Sequence, residues 1–478
     1  MDMFWRPTAG YRRSAYRNRR PDLSVQGIFD FDEDGGGQAG LLTDLLSRAE
    51  RVLLKKLSNN DRDWARYANK HQAGVYIPAE QREGGFFPPL EAKPRKDPDA
   101  APIREAWFDT LWPQASGDER NKHTRIVHYT SKGPETHMTR LPKECFEHLS
   151  PASFLMMGRY RQGEDTVYEC LTIDSASEEA DLLLLQLDIT PDFLIGEFEP
   201  AEVRAKEQDR VLDFAEELIA AWKAGTIVEF GLARAAMPKT EELAGLARDR
   251  YLEIYGLTSL DPFAIERPGD ALREISRSIE WDMFRDFQRR ERAVELVRIA
   301  LGDAPRDMTI AEIIRQLINE LPRIDALMLS ASQQRKSRAG YSYEHHIEAM
   351  LSGGKIPFEK QVVIEAKKRP DFILPSLAFI SSGEVIAATG LILSAKTTLR
   401  ERWKQVEREK GERRLYLTTV DENIAGNAIQ DMAGIGVQLV IPESLMDAKE
   451  TEYAGHANVL TFRRLCDEVI LPNLKVWV

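Results

Sequence analysis

The sequence predicts a mixed α/β domain at the C-terminal end, preceded by a β-rich N-terminal domain and a helical middle section. Short apolar runs separated by turn residues dominate residues 124–200, which is typical of strands. Apolar residues at intervals of three and four then dominate residues 208–321, which is typical of helices, and beyond residue 341 the two patterns alternate. With 478 residues the chain is long enough for two or three domains. We place them at residues 1–204, 205–334 and 335–478.

The first domain is predicted from β-type runs that follow an irregular, turn-rich start. One helix is expected at residues 41–57. The predicted strands lie at residues 125–129, 153–158, 166–172, 181–189 and 193–198. Six arginines fall within the first 20 residues, and either a DNA-contacting arm or a solvated tail accounts for them.

The middle section is predicted from amphipathic spacing. Helices are expected at residues 208–224, 240–255, 271–301 and 309–321, with Thr240 and Thr309 as N-caps. A connector, a dimerisation surface and a part of the DNA-binding architecture are all compatible with this pattern.

The C-terminal domain is predicted as a mixed sheet flanked by helices. The expected helices lie at residues 341–351, 399–409, 423–432 and 460–470. The expected strands lie at residues 361–366, 371–379, 384–395, 414–418 and 437–441.

Composition narrows the class of protein. A net charge of −12 for the whole chain argues against nucleic-acid binding. Residues 331–410, however, hold 14 Lys and Arg against 9 Asp and Glu, and this local charge of +5 is compatible with DNA bound at one face. Three widely spaced cysteines fit reduced thiols in the cytoplasm rather than disulfides or a zinc site. No apolar run approaches the roughly 20 residues of a membrane span, and the N-terminus lacks the apolar region of a secretory signal.

Three charged residues of the C-terminal domain have the chemistry of phosphodiester hydrolysis. That reaction needs a carboxylate that holds a divalent cation, a second ligand, and a basic group that positions water and phosphate. Asp371 follows Pro370, Lys396 ends a predicted strand, and Glu409 lies on the helix after it. We predict that these three residues converge.

Spacing supports the convergence. The strongest turn signal between Asp371 and Lys396 is at residues 381–384, and a hairpin folded there places the two residues opposite each other, within one or two positions of register. Glu409 is two helical turns beyond Arg402, on the same helix face, and so can point back under the sheet. Alternatively, Asp371 only starts a strand and Lys396 is a solvated strand end.

The same segment resembles the C-terminal catalytic domain of EcoRII-type restriction endonucleases, within the wider group that cuts sites containing CC and GG. The resemblance covers roughly residues 335–445. It is carried by the residues 338–346 (RAGYSYEHH), 370–372 (PDF), 396–398 (KTT) and 400–403 (RERW).

The resemblance implies a restriction-endonuclease-like fold in which the last carboxylate has moved from the strand to the following helix, as Glu409 has. It also implies that a glutamate on the preceding helix belongs to the site, and Glu344 fits this position better than Glu348. Asp371 and Glu409 are then expected to bind Mg²⁺, with Lys396 orienting the attacking water and the scissile phosphate.

Base-reading residues are implied just after the catalytic lysine, where Arg400, Glu401 and Arg402 stand. Arginine reads guanine and glutamate accepts from cytosine in the major groove, so the run suits a CC/GG step. A charged helix start with surface ion pairs is the alternative. Lys336 and Arg338, expected before the helix that carries Glu344, are candidate phosphate contacts or a solvated basic turn.

Two adjacent histidines, His345 and His346, point about 100° apart on a helix and rarely chelate one metal. A structural role is expected for them, with a cap or a phosphate contact as the alternative. Trp403 is expected to pack in the core.

The predicted function is that of a type II restriction endonuclease, which cuts double-stranded DNA in a Mg²⁺-dependent reaction at a site with a CC/GG core. A homodimer is expected because both strands of a palindrome are cut. A cognate DNA methyltransferase is expected as the genetic partner. In the EcoRII family a β-rich N-terminal domain binds a second DNA copy as an effector, and residues 124–200 occupy the corresponding place. The alternatives are another defence or repair nuclease of the same fold, or a DNA-binding regulator that does not cut.

Overall fold

The computed structural model describes residues 38–67, 74–94, 99, 101–187, 189–363, 369–399 and 413–477. Residues 38–478 form one compact unit. The predictions for residues 400–402 and 409 lie outside the described residues.

The N-terminal section (residues 38–198) is built on one large sheet, as the β-rich pattern predicts. Within the described residues its spatial order is β2-β6-β5-β4-β8-β7-β1-β9, with β3 beside β4. All neighbours are antiparallel except β4 and β8. The strands are β1 (Arg51–Lys56), β2 (Val75–Ile77), β3 (Glu91–Ala92), β4 (Ile103–Leu111), β5 (Asn121–Tyr129), β6 (Thr136–Thr139), β7 (Phe154–Gln162), β8 (Asp165–Ile173) and β9 (Ile195–Phe198).

Several predictions for this section were wrong. The helix expected at 41–57 ends at Arg48, because the next residues pair as β1 with both β7 and β9. The strand expected at 181–189 is a helix, whose N-cap Ser177 accepts the Ala180 N–H. Strand β4 falls in the part expected to be irregular. The helices are α1 (Gln38–Arg48), α2 (Asn59–Arg66), α3 (Ala79–Glu83) and α4 (Glu178–Gln186).

The helical section (residues 200–353) follows, and its amphipathic pattern is confirmed. Thr309 is the N-cap with a full capping box, but Thr240 is not a cap, since Lys239 precedes the helix and makes no side-chain cap bond. The helices are α5 (Pro200–Lys223), α6 (Ile227–Phe230), α7 (Thr240–Tyr255), α8 (Pro268–Glu274), α9 (Glu280–Leu301), α10 (Ile310–Asn319) and α11 (Leu321–Gly353), and a π-helical turn joins α8 to α9.

Helix α11 is much longer than the helix expected at 341–351. It begins at Leu321, with Pro322 in its first turn, where a missing N–H costs nothing. Lys336 and Arg338 therefore lie inside this helix, and the prediction that they precede it was wrong.

The C-terminal section is a six-stranded mixed sheet in the described residues, with order β10-β11-β12-β13-β14-β15. The first three strands are antiparallel and the last four parallel. The strands are β10 (Glu359–Lys360), β11 (Phe372–Leu374), β12 (Leu391–Ala395), β13 (Leu415–Thr418), β14 (Val437–Ile441) and β15 (Val459–Thr461). The helices are α12 (Leu377–Ile380), α13 (Gly426–Gly434), α14 (Phe462–Arg464) and α15 (Leu474–Trp477).

Two apolar cores cover this sheet, one on each face. Phe372, Leu393 and Tyr416 pack with α7, α8 and α11 on one side. Ile392 and Leu417 pack with α13 on the other. Every residue of β12 is buried, as expected for a strand enclosed on both faces.

The predicted strands 371–379 and 384–395 are shorter in the structure. Strand β11 ends at Leu374 because Pro375 has no N–H to continue the ladder, and α12 follows. A 3₁₀ turn at Val385–Thr389 precedes β12.

The helix expected at 460–470 begins at Phe462, since the residues before it form β15. None of the described helices is long and apolar enough to cross a membrane. The three cysteines are unpaired and buried.

Candidate active site

Asp371 and Lys396 meet at one end of the β11–β12 pair. The observed register sets Phe372 opposite Leu393, so the direct pairing expected for Asp371 and Lys396 is off by two positions. The lysine side chain spans this offset, and its Nζ lies 2.8 Å from Asp371 Oδ2. Both side chains are largely enclosed, with exposures of 24% for Lys396 and 12% for Asp371.

The backbone turn that carries Lys396 is held at three points. The Ala395 N–H donates to Asp371 Oδ2 at 2.7 Å, and the Lys396 N–H donates to the Thr418 carbonyl at 2.9 Å. The Leu399 N–H donates to Asp421 Oδ2 at 2.7 Å. Two carboxylates and the neighbouring strand β13 therefore fix the backbone on both sides of the lysine.

Glu344 is the third charged group near this turn. Burial raises the pKa of its carboxyl, the negative charge of Asp371 raises it further, and the positive charge of Lys396 opposes both. Gln361 Nε2 donates to Glu344 Oε2 at 3.4 Å. Glu348, the alternative, pairs instead with Lys360 at 2.5 Å. Glu344 is thus close enough for the charges of Asp371 and Lys396 to act on its carboxyl, whereas Glu348 is paired with Lys360.

Buried bonds on each side of Glu344 hold this part of α11. The hydroxyls of Tyr343 and Thr418 are 2.6 Å apart, which ties the helix to β13. His346 Nε2 lies 2.6 Å from Glu280 Oε2, and Ser342 Oγ donates to the same oxygen, which ties α11 to α9. The position of Glu344 is therefore set by its neighbours in sequence.

His346 is fully buried in this contact, in agreement with the structural role expected for the histidine pair. Burial lowers the pKa of His346, although Glu280 opposes this. His345 Nδ1 lies 3.5 Å from Glu348 Oε2.

The predicted site is described only in part. Arg400, Glu401, Arg402 and Glu409 lie outside the described residues, and the side chains of 336 and 338 are also not described. Among the described residues no three His, Cys, Asp or Glu side chains come together as a metal cluster.

The donor set nevertheless fits a hard divalent cation. Glu344 and Asp371 supply carboxylate oxygens, the ligands that Mg²⁺ prefers. Burial and then the like charge of Asp371 raise the pKa of Glu344, and a bound cation would relieve the repulsion between the two carboxylates. Lys396 already contacts Asp371 Oδ2, so a cation would have to bind Asp371 without displacing the ammonium group from that oxygen.

Sequence reasoning missed Tyr343, Thr418 and Asp421, which hold the site rather than line it. Asp421 could have been found from the sequence, because a carboxylate three residues beyond the buried strand β13 is unusual without a partner. Its partner, the Leu399 N–H, was not visible in the sequence.

Comparison with known proteins adds independent information on the same segment. Residues 305–466 match the family model described as EcoRII C terminal. The type II restriction enzyme EcoRII of Escherichia coli is 33% identical over 141 residues, which is 29% of this chain and 35% of that enzyme. The type II restriction enzyme SsoII of Shigella sonnei is 30% identical over 207 residues, 41% of this chain and 66% of that enzyme.

Among solved structures, metal-depleted Ecl18kI in complex with uncleaved, modified DNA matches with a TM-score of 0.43 at 24% identity, over 53% of this chain and 84% of that one. The chain thus spans about a third of EcoRII and just under two thirds of SsoII. The resemblance expected from the motifs is confirmed: residues 305–466 match the EcoRII C-terminal family model, and this part of the chain is similar to two type II restriction enzymes.

Proposed function

We propose that this chain is a type II restriction endonuclease that hydrolyses phosphodiester bonds of double-stranded DNA at a specific site. The observation that carries the proposal is the contact between Lys396 and Asp371 at the end of the β11–β12 pair, where both charges act on the carboxyl of Glu344, inside the segment that matches the EcoRII C-terminal domain.

Lys396 has the position for orienting the reaction. Its ammonium group is anchored by Asp371, and the N–H donors of an ammonium group suit both a phosphate oxygen and the attacking water. Because three backbone bonds hold the turn, the ammonium group needs little reorganisation when DNA arrives. Lys396 therefore would stabilise the negative charge that develops on the phosphate.

Asp371 and Glu344 would hold Mg²⁺, together with Glu409. When bound, the cation supplies a polarised water and charge neutralisation at the phosphate. Since a metal ligand must be ionised, the raised pKa of Glu344 makes cation binding weaken as the pH falls.

Arg400, Glu401 and Arg402 are our candidates for base reading, at a site with a CC/GG core. Each bidentate contact would contribute about 1–3 kcal/mol of discrimination. Their place in the sequence supports this assignment, since they directly follow Leu399, whose N–H is held by Asp421.

A homodimer is proposed because two strands need two active sites. Helix α10 offers an apolar surface for it: Ile310, Ile314 and Ile318 are 78%, 52% and 59% exposed, and no residue of the helix is buried. Three isoleucines four residues apart form one stripe that can pair with itself around a two-fold axis.

The N-terminal sheet is proposed as a second DNA contact. Trp107 is 37% exposed and stacks on His123 with ring centroids 5.1 Å apart. The guanidinium groups of Arg140 and Arg125 lie 4.7 and 5.8 Å from the Trp107 ring, and Glu105 pairs with Arg125. Aromatic and cationic groups on one face suit a nucleic acid.

The test is digestion of plasmid DNA in Mg²⁺, in EDTA, and with a Lys396→Ala variant. We expect discrete bands from the wild type, and no bands in EDTA or from the variant. Oligoduplexes with and without a CC/GG core test the sequence preference.

The matched control is Lys360→Ala. Lys360 is 26% exposed and ion-paired like Lys396, but its partner is Glu348. We expect the control to retain the wild-type band pattern. Smeared products would indicate a nuclease of the same fold without site specificity, and DNA binding without any cleavage would indicate a regulator.

A further inference from the structure

The loop after β13 holds two adjacent carboxylates with separate partners. Asp421 is 3% exposed, and it accepts the Leu399 N–H at 2.7 Å and the Asn423 N–H at 3.0 Å. Burial raises the pKa of Asp421, and these two backbone bonds and the charge of Arg277 oppose that rise. Through Leu399, Asp421 holds the far end of the Lys396 turn.

Glu422 points to other parts of the chain. Its Oε2 accepts from Lys56 Nζ at 2.9 Å, at the end of β1 in the N-terminal section. Its Oε1 accepts from Arg273 at 2.5 Å, at the end of α8 in the helical section. Burial alone would raise the pKa of Glu422, but Lys56, Arg273 and Arg277 together lower it to about 2.

Glu422, Lys56 and Arg273 form a junction between the three sections of the chain. The two cations of this junction also bind residues of the N-terminal section. Lys56 Nζ and Arg273 both donate to the carbonyl of Pro191, at 2.8 and 3.0 Å, and Arg273 also pairs with Asp192 at 2.5 Å. Lys56 and Arg273 are less than a tenth exposed. A buried pair of this kind has one preferred geometry, since moving one partner leaves a charge without compensation.

We propose that Asp421 and Glu422 are positioning residues that transmit the docking of the N-terminal section to the Lys396 turn, so that the Lys56–Glu422 contact raises the rate of cleavage. This inference rests on the proposed nuclease function. The N-terminal section then supports the reaction from a distance. Its Lys56 holds Glu422, and the adjacent residue in the same loop, Asp421, holds the backbone of Leu399.

Two variants break the contact at either end: Glu422→Gln, which keeps the side-chain shape, and Lys56→Met, which keeps the aliphatic length. The first readout is hydrogen exchange in peptides that span residues 391–399. We expect exchange in this segment to become about 3- to 30-fold faster, the range that corresponds to coupling energies transmitted through buried networks.

The second readout is the single-turnover cleavage rate at saturating DNA and Mg²⁺. We expect it to fall by a similar factor, with the DNA dissociation constant measured in Ca²⁺ unchanged within about 2-fold. If the contact only stabilised the fold, the variants would lower the free energy of unfolding, but they would not lower the cleavage rate while leaving the DNA dissociation constant unchanged.

The matched control is Glu452→Gln, the same substitution at another ion pair between sections. Glu452 binds Arg62 at 2.9 Å and the Gly426 N–H at 2.7 Å, at the start of α13 and away from Lys396. We expect no selective change at residues 391–399 and no loss of rate.

Equal effects of Glu422→Gln and Glu452→Gln would overturn the proposal, and so would faster exchange without a slower reaction. If the wild type does not cut DNA, the proposed function fails. In that case hydrogen exchange at residues 391–399 still tests whether Glu422 holds the Lys396 turn, since faster exchange is expected in Glu422→Gln and not in Glu452→Gln.

Discussion

The buried contact between His346 and Glu280 makes the stability of the protein depend on pH in a defined direction. His346 is fully buried, and burial lowers its pKa in the folded state. Its Nε2 faces Glu280, while Nδ1 is buried without a hydrogen-bond partner among the described residues. A neutral imidazole that donates from Nε2 satisfies this geometry, whereas a proton on Nδ1 would be left without an acceptor.

We therefore expect His346 to stabilise the fold above a pH of about 6.5, where the imidazole of the unfolded chain is also neutral. Below that pH the unfolded chain gains a proton that the folded protein resists. Between a pH of about 7.5 and one of about 5.5 this difference costs the folded state up to about 1.4 kcal/mol.

The measurement is urea unfolding of the wild type and of His346→Gln at the two pH values. The amide that replaces the imidazole in this variant cannot titrate, so the wild type should lose up to about 1.4 kcal/mol more than the variant on acidification. His148→Gln serves as the control, because His148 is 88% exposed and its imidazole meets water in both states. An equal loss in wild type and His346→Gln would mean that folding does not shift the pKa of His346, and a gain in wild type would mean that Glu280 stabilises the charged imidazole; either result would refute the reasoning.

Two further predictions concern the site and the assembly. Glu344→Gln should abolish cleavage. It should also abolish the rise in melting temperature that Mg²⁺ produces in the wild type, which corresponds to about 1.4 kcal/mol of stabilisation at roughly tenfold excess over the dissociation constant. A wild-type rise in the variant would exclude Glu344 as a ligand. Ile314→Lys, in the middle of the exposed stripe on α10, should shift sedimentation from dimer to monomer without lowering the melting temperature of the monomer; a dimer of unchanged affinity would place the interface elsewhere.

Local patterns in the sequence predicted much of the fold. Thr309 and Glu312 form the capping box where the spacing expects it, and β13 and β14 lie within a residue of the predicted strands. The meeting of Asp371 and Lys396 was predictable because the turn signal lies at the centre of the β11–β12 pair. The register was two positions off because α12 and a 3₁₀ turn replace the straight strand ends.

Local patterns could not predict features that depend on contacts between distant parts of the chain. Residues 181–189 are apolar enough for a strand. They follow a helix start instead, because the side chain of Ser177 caps the first turn. The bonds from Asp421 to Leu399 and from Glu422 to Lys56 depend on tertiary packing, so no spacing rule reveals them. The roles of Asp371, Lys396, Glu344 and the residues outside the described ranges stay predictions until the assays are done.

The ion pairs between sections also constrain how this chain can evolve. Lys56 and Arg62, which precede the helical section, bind Glu422 and Glu452, which follow it. A recombination event that replaced the N-terminal section would remove a cation from both glutamates unless the incoming segment brought cations at the same two places. We therefore expect natural exchange of the N-terminal section on this scaffold to be accompanied by paired changes at positions 56 and 422, and at 62 and 452.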